Sequence, residues 1–457
     1  MTFPLACWTF TREVHRCYFI SIADLTDRAE LPRWVASLTR SGETEAETRQ
    51  RVATILADVR ARGLEAALDW TERLDGVRLD SAALRIPASA LAEARTRLDR
   101  ERPELMAALR ELIANVRRFA EGQRACLRDL ELPLPGGGTV GERWCPLGSV
   151  GVYIPGGRAF YPSTLAMTVI PAQVARVGRI VGMTPPRPQA TLPGAWGVDP
   201  LVLACAAELG LEELIPMGGA QALGWLAYDE PAVDLVAGPG NRFVAEAKRQ
   251  LLGVCGIDAL AGPTELLILA DASADPAWLA EDLLAQAEHD PDAAAVLVSE
   301  DRGLLEAVAA ELATRAEASP RREILAQSLS RHGRLVCAER ELAIALAQAW
   351  APEHLELCVA DPEAWSPRLT AAGALFLGAS SAEAFGDYGA GPNHVLPTGR
   401  TARYTSPLGV ATYLKRQSLL ALSPADARTM APWVARLAEA EGLPHHGRSA
   451  DLRHPHA

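Results

Sequence analysis

The chain has 457 residues, 49% of them hydrophobic and 22% charged, the composition of a folded globular protein with more than one core. Its formal net charge of −12 disfavours nucleic acid as the main partner, because phosphate recognition needs a basic face. No long uncharged apolar run occurs, so no membrane span is expected.

Residues 1–40 read as an N-terminal extension. Its first 20 residues are broken by Arg12, Glu13, His15 and Arg16, unlike a secretory signal, and no function is assigned to them. The eight cysteines are scattered without a C-x-x-C pair, which fits reduced thiols and a cytoplasmic location. Of the 45 basic residues only Lys248 and Lys415 are lysines, a bias that with the Ala and Leu excess reads as GC-rich coding.

Residues 41–130 carry helical periodicity at 44–62, 64–74, 87–99 and 103–124, as in Val52, Ile55, Leu56 and Val59. This is a helical segment expected to pack on the main domain. Pro133 to Gly138 is a turn or hairpin. The string Gly136-Gly-Gly-Thr-Val-Gly141 matches G-x-G-x-x-G only formally. It follows Pro135 and not a strand, and no helix pattern follows it, so it is rejected as a dinucleotide fingerprint.

From Ser149 the texture becomes alternating. Strands at 150–154, 179–183, 213–217 and 234–237 alternate with helices at 163–174, 201–209 and 243–252. Residues 131–255 thus form a first Rossmann-like domain. The pattern repeats over 256–400, with strands at 265–269, 294–298, 334–337, 355–359 and 374–377. The fold class is α/β: two incomplete Rossmann-like parallel-sheet domains, with the helical N-terminal segment and a C-terminal helical tail. That tail, 401–457, ends in an amphipathic helix at 426–442 and the polar run Pro444-His-His-Gly-Arg448. The run has no core of its own and is expected to dock elsewhere, on another subunit.

Several loop and helix ends carry chemistry. Gln286 and His289 are three apart at the end of an apolar helix, so they share a face and offer an amide oxygen and an imidazole to a metal such as zinc. A surface or capping pair has the same spacing. Pro352-Glu-His354 offers a carboxylate and a base for two proton transfers, or a histidine at a helix end. Asp387 lies in Phe385-Gly-Asp-Tyr-Gly389, next to Gly391-Pro-Asn-His-Val-Leu-Pro397. Ala261-Gly-Pro-Thr-Glu265 ends a loop with a hydroxyl and a carboxylate.

With Val152-Tyr-Ile-Pro-Gly-Gly157, Thr184-Pro-Pro-Arg-Pro188, Gly218-Gly-Ala-Gln221, Gly238-Pro-Gly-Asn241 and Gly256-Ile-Asp258, these motifs stand in an order that resembles the histidinol dehydrogenases, from about residue 40 to Arg453. The resemblance implies a zinc- and NAD-dependent oxidation of L-histidinol through L-histidinaldehyde to L-histidine. It implies zinc ligands at Gln286, His289, Asp387 and His446, with His445 the competitor of the last. It implies Glu353 as water activator and His354 as general base. Tyr153, Gln221 and Asn241 match its NAD contacts, and Thr264, His394 and Glu441 match substrate positions beside the zinc ligands. It further implies a homodimer in which the C-terminal histidine is lent across subunits. Departures are Thr264, where many relatives carry Ser, a longer link at 189–198, and the extension at 1–20. Alternatives are a paralogous zinc and NAD dehydrogenase of another small polar alcohol, such as a sulfonated diol, and a zinc hydrolase without NAD.

Overall fold

The computed structural model describes residues 20–39, 46–156, 161–188, 194–229 and 231–453. Nearly all of the 1–20 segment, part of the 189–198 link, and His15, His454 and His456 lie outside these. The described residues open with strand β1 (Ile22–Asp24) and a series of helices ending at Cys126. A hairpin follows, β2 (Leu130–Pro133) and β3 (Thr139–Pro146). Then β4 (Ser149–Tyr153), β5 (Arg179–Met183), β6 (Glu213–Ile215), β7 (Leu235–Ala237) and β8 (Gly256–Ile257) come with helices between most of them. A second run carries β9 (Glu265–Ala270), β10 (Ala294–Ser299), β11 (Arg334–Cys337), β12 (His354–Cys358) and β13 (Ala374–Leu377). β14 (Leu414–Ala421) precedes the last two helices.

The chain forms two compact units. One holds the described residues before 43 with Gly262–Phe385 and Leu396–Ser406; the other holds the rest of the described chain. The first unit is built on a parallel sheet of order β1-β11-β10-β9-β12-β13. Every residue of β9, β10 and β12 is buried, because helices cover both faces. Residues 22–24, inside the segment read as an extension, form its edge strand. Three residues are too few to show an alternating pattern in the sequence.

The second unit carries a parallel sheet of order β6-β5-β4-β7-β8 and a separate antiparallel sheet of order β14-β3-β2. The chain runs outward from β4 through β5 to β6, then returns to the other side of β4 for β7, which makes a topological switch point between β4 and β7. The helices at 46–75 and 88–126 pack within this unit, their apolar stripes meeting the helices that cover the sheet. Gly136 to Gly138 lie at the turn of the β2–β3 hairpin. There Asp426 accepts from the Gly136 and Gly138 backbone N–H groups at 2.6 and 2.7 Å, so these glycines serve a hairpin and not a cofactor. The polar run at 444–451 is a helix, and its buried Gly447 packs on Ala435 of the preceding helix.

Candidate active site and metal centre

In the first unit the chemistry-bearing residues gather at the amino ends of the strands. His354 opens β12 and pairs with Leu266 of β9, so Glu353 lies level with Glu265, next to Thr264. One Glu353 carboxylate oxygen accepts from the Thr264 hydroxyl at 2.7 Å and from the Glu265 backbone N–H at 3.0 Å. His354 Nδ1 is 3.1 Å from the Glu265 carbonyl oxygen. A carbonyl only accepts, so Nδ1 carries a proton; in the neutral ring the lone pair is then on Nε2, the tautomer a general base needs. Both side chains are nearly enclosed, Glu353 at 7% and His354 at 4% exposure. Gly373 permits this packing: a Cβ there would stand 2.6 Å from the Glu353 carbonyl oxygen.

The helix Pro276–Ala287 starts at the other edge of the sheet, with Asp275 as N-cap and Pro276 in its first turn, and returns its end to the amino edge. Gln286 is wholly buried, its amide bonded to the Thr264 hydroxyl and the Ala294 carbonyl, both at 3.2 Å. His289 is three residues on. Its ligand atom lies within 4.8 Å of those of Glu383 and Asp387, which stand one turn apart on the helix Glu383–Tyr388. The unit boundary falls inside that helix, so Asp387 is carried by the element that carries Glu383. One imidazole and two carboxylates at this spacing fit a borderline divalent cation such as zinc.

Glu383 also lies 3.7 Å from His354 Nδ1, which links the donor group to this histidine. Behind it, Glu356 accepts from the Glu383 backbone N–H at 2.6 Å. Burial, with the charge of Asp282 adding to it, pushes the Glu356 carboxyl up to about 8. Asp282 is itself raised to about 6 by burial and by Glu281.

In the second unit the candidate cofactor residues lie instead at the carboxyl ends of strands. Tyr153 ends β4, and its hydroxyl accepts from the Gly219 N–H at 3.3 Å. Burial pushes this phenol up to about 12, so it is neutral. Gln221 is 1% exposed, and its Oε1 meets no hydrogen-bond donor among the described residues. A buried amide oxygen of this kind suits a ligand donor. Asn241 caps the helix Arg242–Leu251, its Oδ1 accepting from the Phe243 and Val244 N–H groups at 3.0 and 3.2 Å. Tyr153 and Gln221 are enclosed and Asn241 is exposed. Polar groups of this kind beyond the carboxyl ends of strands, beside a switch-point crevice, fit a dinucleotide. In the same unit His394 Nε2 is 3.1 Å from the Thr164 hydroxyl and Nδ1 is 3.2 Å from the Asp387 carbonyl.

A family model described as histidinol dehydrogenase matches residues 38–454. The chain belongs to the histidinol dehydrogenase family. It is 46% identical over 408 residues to the histidinol dehydrogenase of Moorella thermoacetica, covering 88% of this chain and 93% of that protein. It is 43% identical to that of Burkholderia lata, covering 92% and 95%. The crystal structure of histidinol dehydrogenase from Elizabethkingia anophelis superposes with a TM-score of 0.87 at 28% identity, covering 96% of this chain and 99% of that one. The α/β fold and the activity class, a histidinol dehydrogenase and hence an oxidoreductase, stand on these likenesses together.

Of the residues singled out in the sequence of this family member, the structure brings together Thr264, Gln286, Glu353 and His354 through direct contacts, and His289 with Asp387 in the donor group. Glu441, His445 and His446 lie on the C-terminal segment, exposed and outside that group. Glu383 and Glu356 were not singled out. Glu383 stands four before Asp387, the spacing of one helix face, which was the available signal. Glu356 carries no such signal, because its neighbour Asp282 comes from a distant helix. A cavity of about 420 Å³ between Arg117, Arg124 and Arg176 contains none of these groups.

Proposed function

We propose that this enzyme oxidises L-histidinol to L-histidine in two successive NAD-linked steps, with zinc at the amino edge of the β9–β12 sheet. The observation that carries the reading is the pair Glu353–His354, held by Thr264 and Glu265 and joined to the metal-donor group through Glu383. NAD, when bound, would supply the hydride acceptor for both oxidations. His354 Nε2 takes the alcohol proton in the first and releases it to solvent, so that it is free to act again. Glu353 takes a proton from the water that adds to the aldehyde, and in the second oxidation His354 removes the hydroxyl proton of the hydrate. Zinc would be held by Gln286, His289 and Asp387 with His446 of the partner subunit, and when bound it supplies a Lewis acid that anchors the substrate. Thr264, His394 and Glu441 orient the substrate. Tyr153, Gln221 and Asn241 hold NAD.

A homodimer is supported by the surface of the second unit. All four residues of β2 and seven of eight in β14 are exposed, including Leu130, Leu132 and Leu420. Trp433, Leu437 and Leu452 are exposed on the last helices and beyond them. A three-stranded sheet open in this way, with apolar helices beside it in sequence, is the surface of a chain that expects a partner. We place the enzyme in the cytoplasm, in keeping with the free cysteines among the described residues.

The test is a stoichiometry. With limiting L-histidinol and excess NAD, about two NADH should form per histidinol consumed, with activity lost on chelation and restored by zinc. One NADH per histidinol with released aldehyde would sink the two-step reading. Full activity after exhaustive chelation would sink the metal.

A further inference from the structure

The Gly238-Pro-Gly-Asn241 turn leaves β7 at the switch point of the second unit. Both peptide groups of Gly238 are held by side chains. The Asp258 carboxylate accepts from the Gly238 N–H at 2.7 Å. The Lys248 ammonium donates to the Gly238 carbonyl at 2.5 Å and to the other Asp258 oxygen, also at 2.5 Å. Gly238 has φ +107°, and a Cβ there would stand 2.2 Å from the Tyr153 carbonyl oxygen. One ammonium and one carboxylate therefore set how the turn leaves the sheet and how closely it approaches Tyr153.

Stability alone does not account for this pair. The side chains of Lys248 and Asp258 are 2% and 3% exposed. Taking two charges out of water is costly, and well-packed apolar side chains of the same volume are often as stable or more so. What the charges add is direction, because each grips one polar group of one residue. Composition supports the point. Of 45 basic residues only Lys248 and Lys415 are lysines, and Lys415 is exposed. A chain that uses arginine almost everywhere keeps lysine where a compact ammonium must fit between a carbonyl and a carboxylate, which a planar guanidinium fork does not do.

We propose that Lys248 and Asp258 are positioning residues for the dinucleotide: they hold the Gly238–Asn241 turn in the shape that receives NAD. The inference rests on the reading of this crevice as the NAD site. The test compares wild type with the double variant Lys248→Met/Asp258→Asn, which removes both charges and keeps an oxygen for the Gly238 N–H. NAD binding is measured by calorimetry and turnover under saturation. The expected result is a Kd and KM for NAD raised about tenfold, with the KM for histidinol and kcat at saturating NAD within about twofold. A folded variant whose Kd for NAD stays within about twofold of wild type overturns the inference while leaving the cofactor reading intact. If the double variant does not fold, Asp258→Asn alone is measured, with a rise of about threefold expected. An unchanged Kd there, or failure of both variants to fold, makes the pair purely structural and overturns the inference. A wild-type enzyme that does not bind NAD overturns the cofactor reading itself.

Discussion

The two parallel sheets use opposite edges. In the β4–β7 sheet the candidate residues lie at carboxyl ends of strands: Tyr153 ends β4 and Asn241 follows β7, the two strands of the switch point, and Gln221 is on the helix after β6. In the β9–β12 sheet Thr264, Glu353 and His354 sit at the amino ends. The helices explain the difference. At the carboxyl edge helices begin, as at Gly219 and Arg242, and their first N–H groups and positive dipole ends favour an anionic ligand. At the amino edge helices end, as at Ala287 and Trp350, and their carbonyls and negative ends favour a cation. A dinucleotide therefore suits one edge and a metal the other, although the strand–helix alternation is the same in both.

The largest expected effect separates the two edges. His354→Ala should lower turnover about a thousandfold while zinc content and NAD affinity stay at wild-type levels. Loss of zinc from that variant would mean that His354 is a ligand and not the base. The converse variant is Asn241→Ala. It should raise the KM for NAD about fivefold and remove an N-cap contribution of about 1 kcal/mol, leaving metal content unchanged. Metal loss there would show that the edges do not act separately.

The smallest effect sharpens the electrostatic side of the comparison. The buried Glu356 carboxyl is raised from the usual carboxylate range to about 8, so the folded state favours its protonated form. The stability it contributes is present below the ordinary carboxylate pKa and is lost as pH rises toward 8. Metal-free enzyme should therefore melt at lower temperature at pH 8 than at pH 6, and Glu356→Gln should remove about 3 °C of that fall. An identical pH slope in the variant assigns the dependence to another group.

Much of this was legible in the chain. The alternation of strands and helices is local, and the continuous apolar runs of β9 and β10 mark strands covered on both faces. The spacing of Gln286 and His289 places both at one helix end. The β2–β3 hairpin was readable from Pro133 to Gly138, but its pairing with β14 was not, since Leu414 opposite Pro146 joins residues far apart in the chain. Glu383 was missed although its spacing from Asp387 is helical. Glu356 was out of reach, because its burial and its neighbour Asp282 follow from how β12 is covered.

By itself the sequence determined the α/β class, the family and the set of chemical groups, because periodicity and motif order depend on residues near one another in the chain. The tertiary structure alone decided which edge of each sheet carries those groups. It also decided that Glu383 stands beside His354 and that Lys248 and Asp258 close on Gly238. Strand order and burial are set by how distant segments pack, and a charge acquires its role from what surrounds it once water has been excluded.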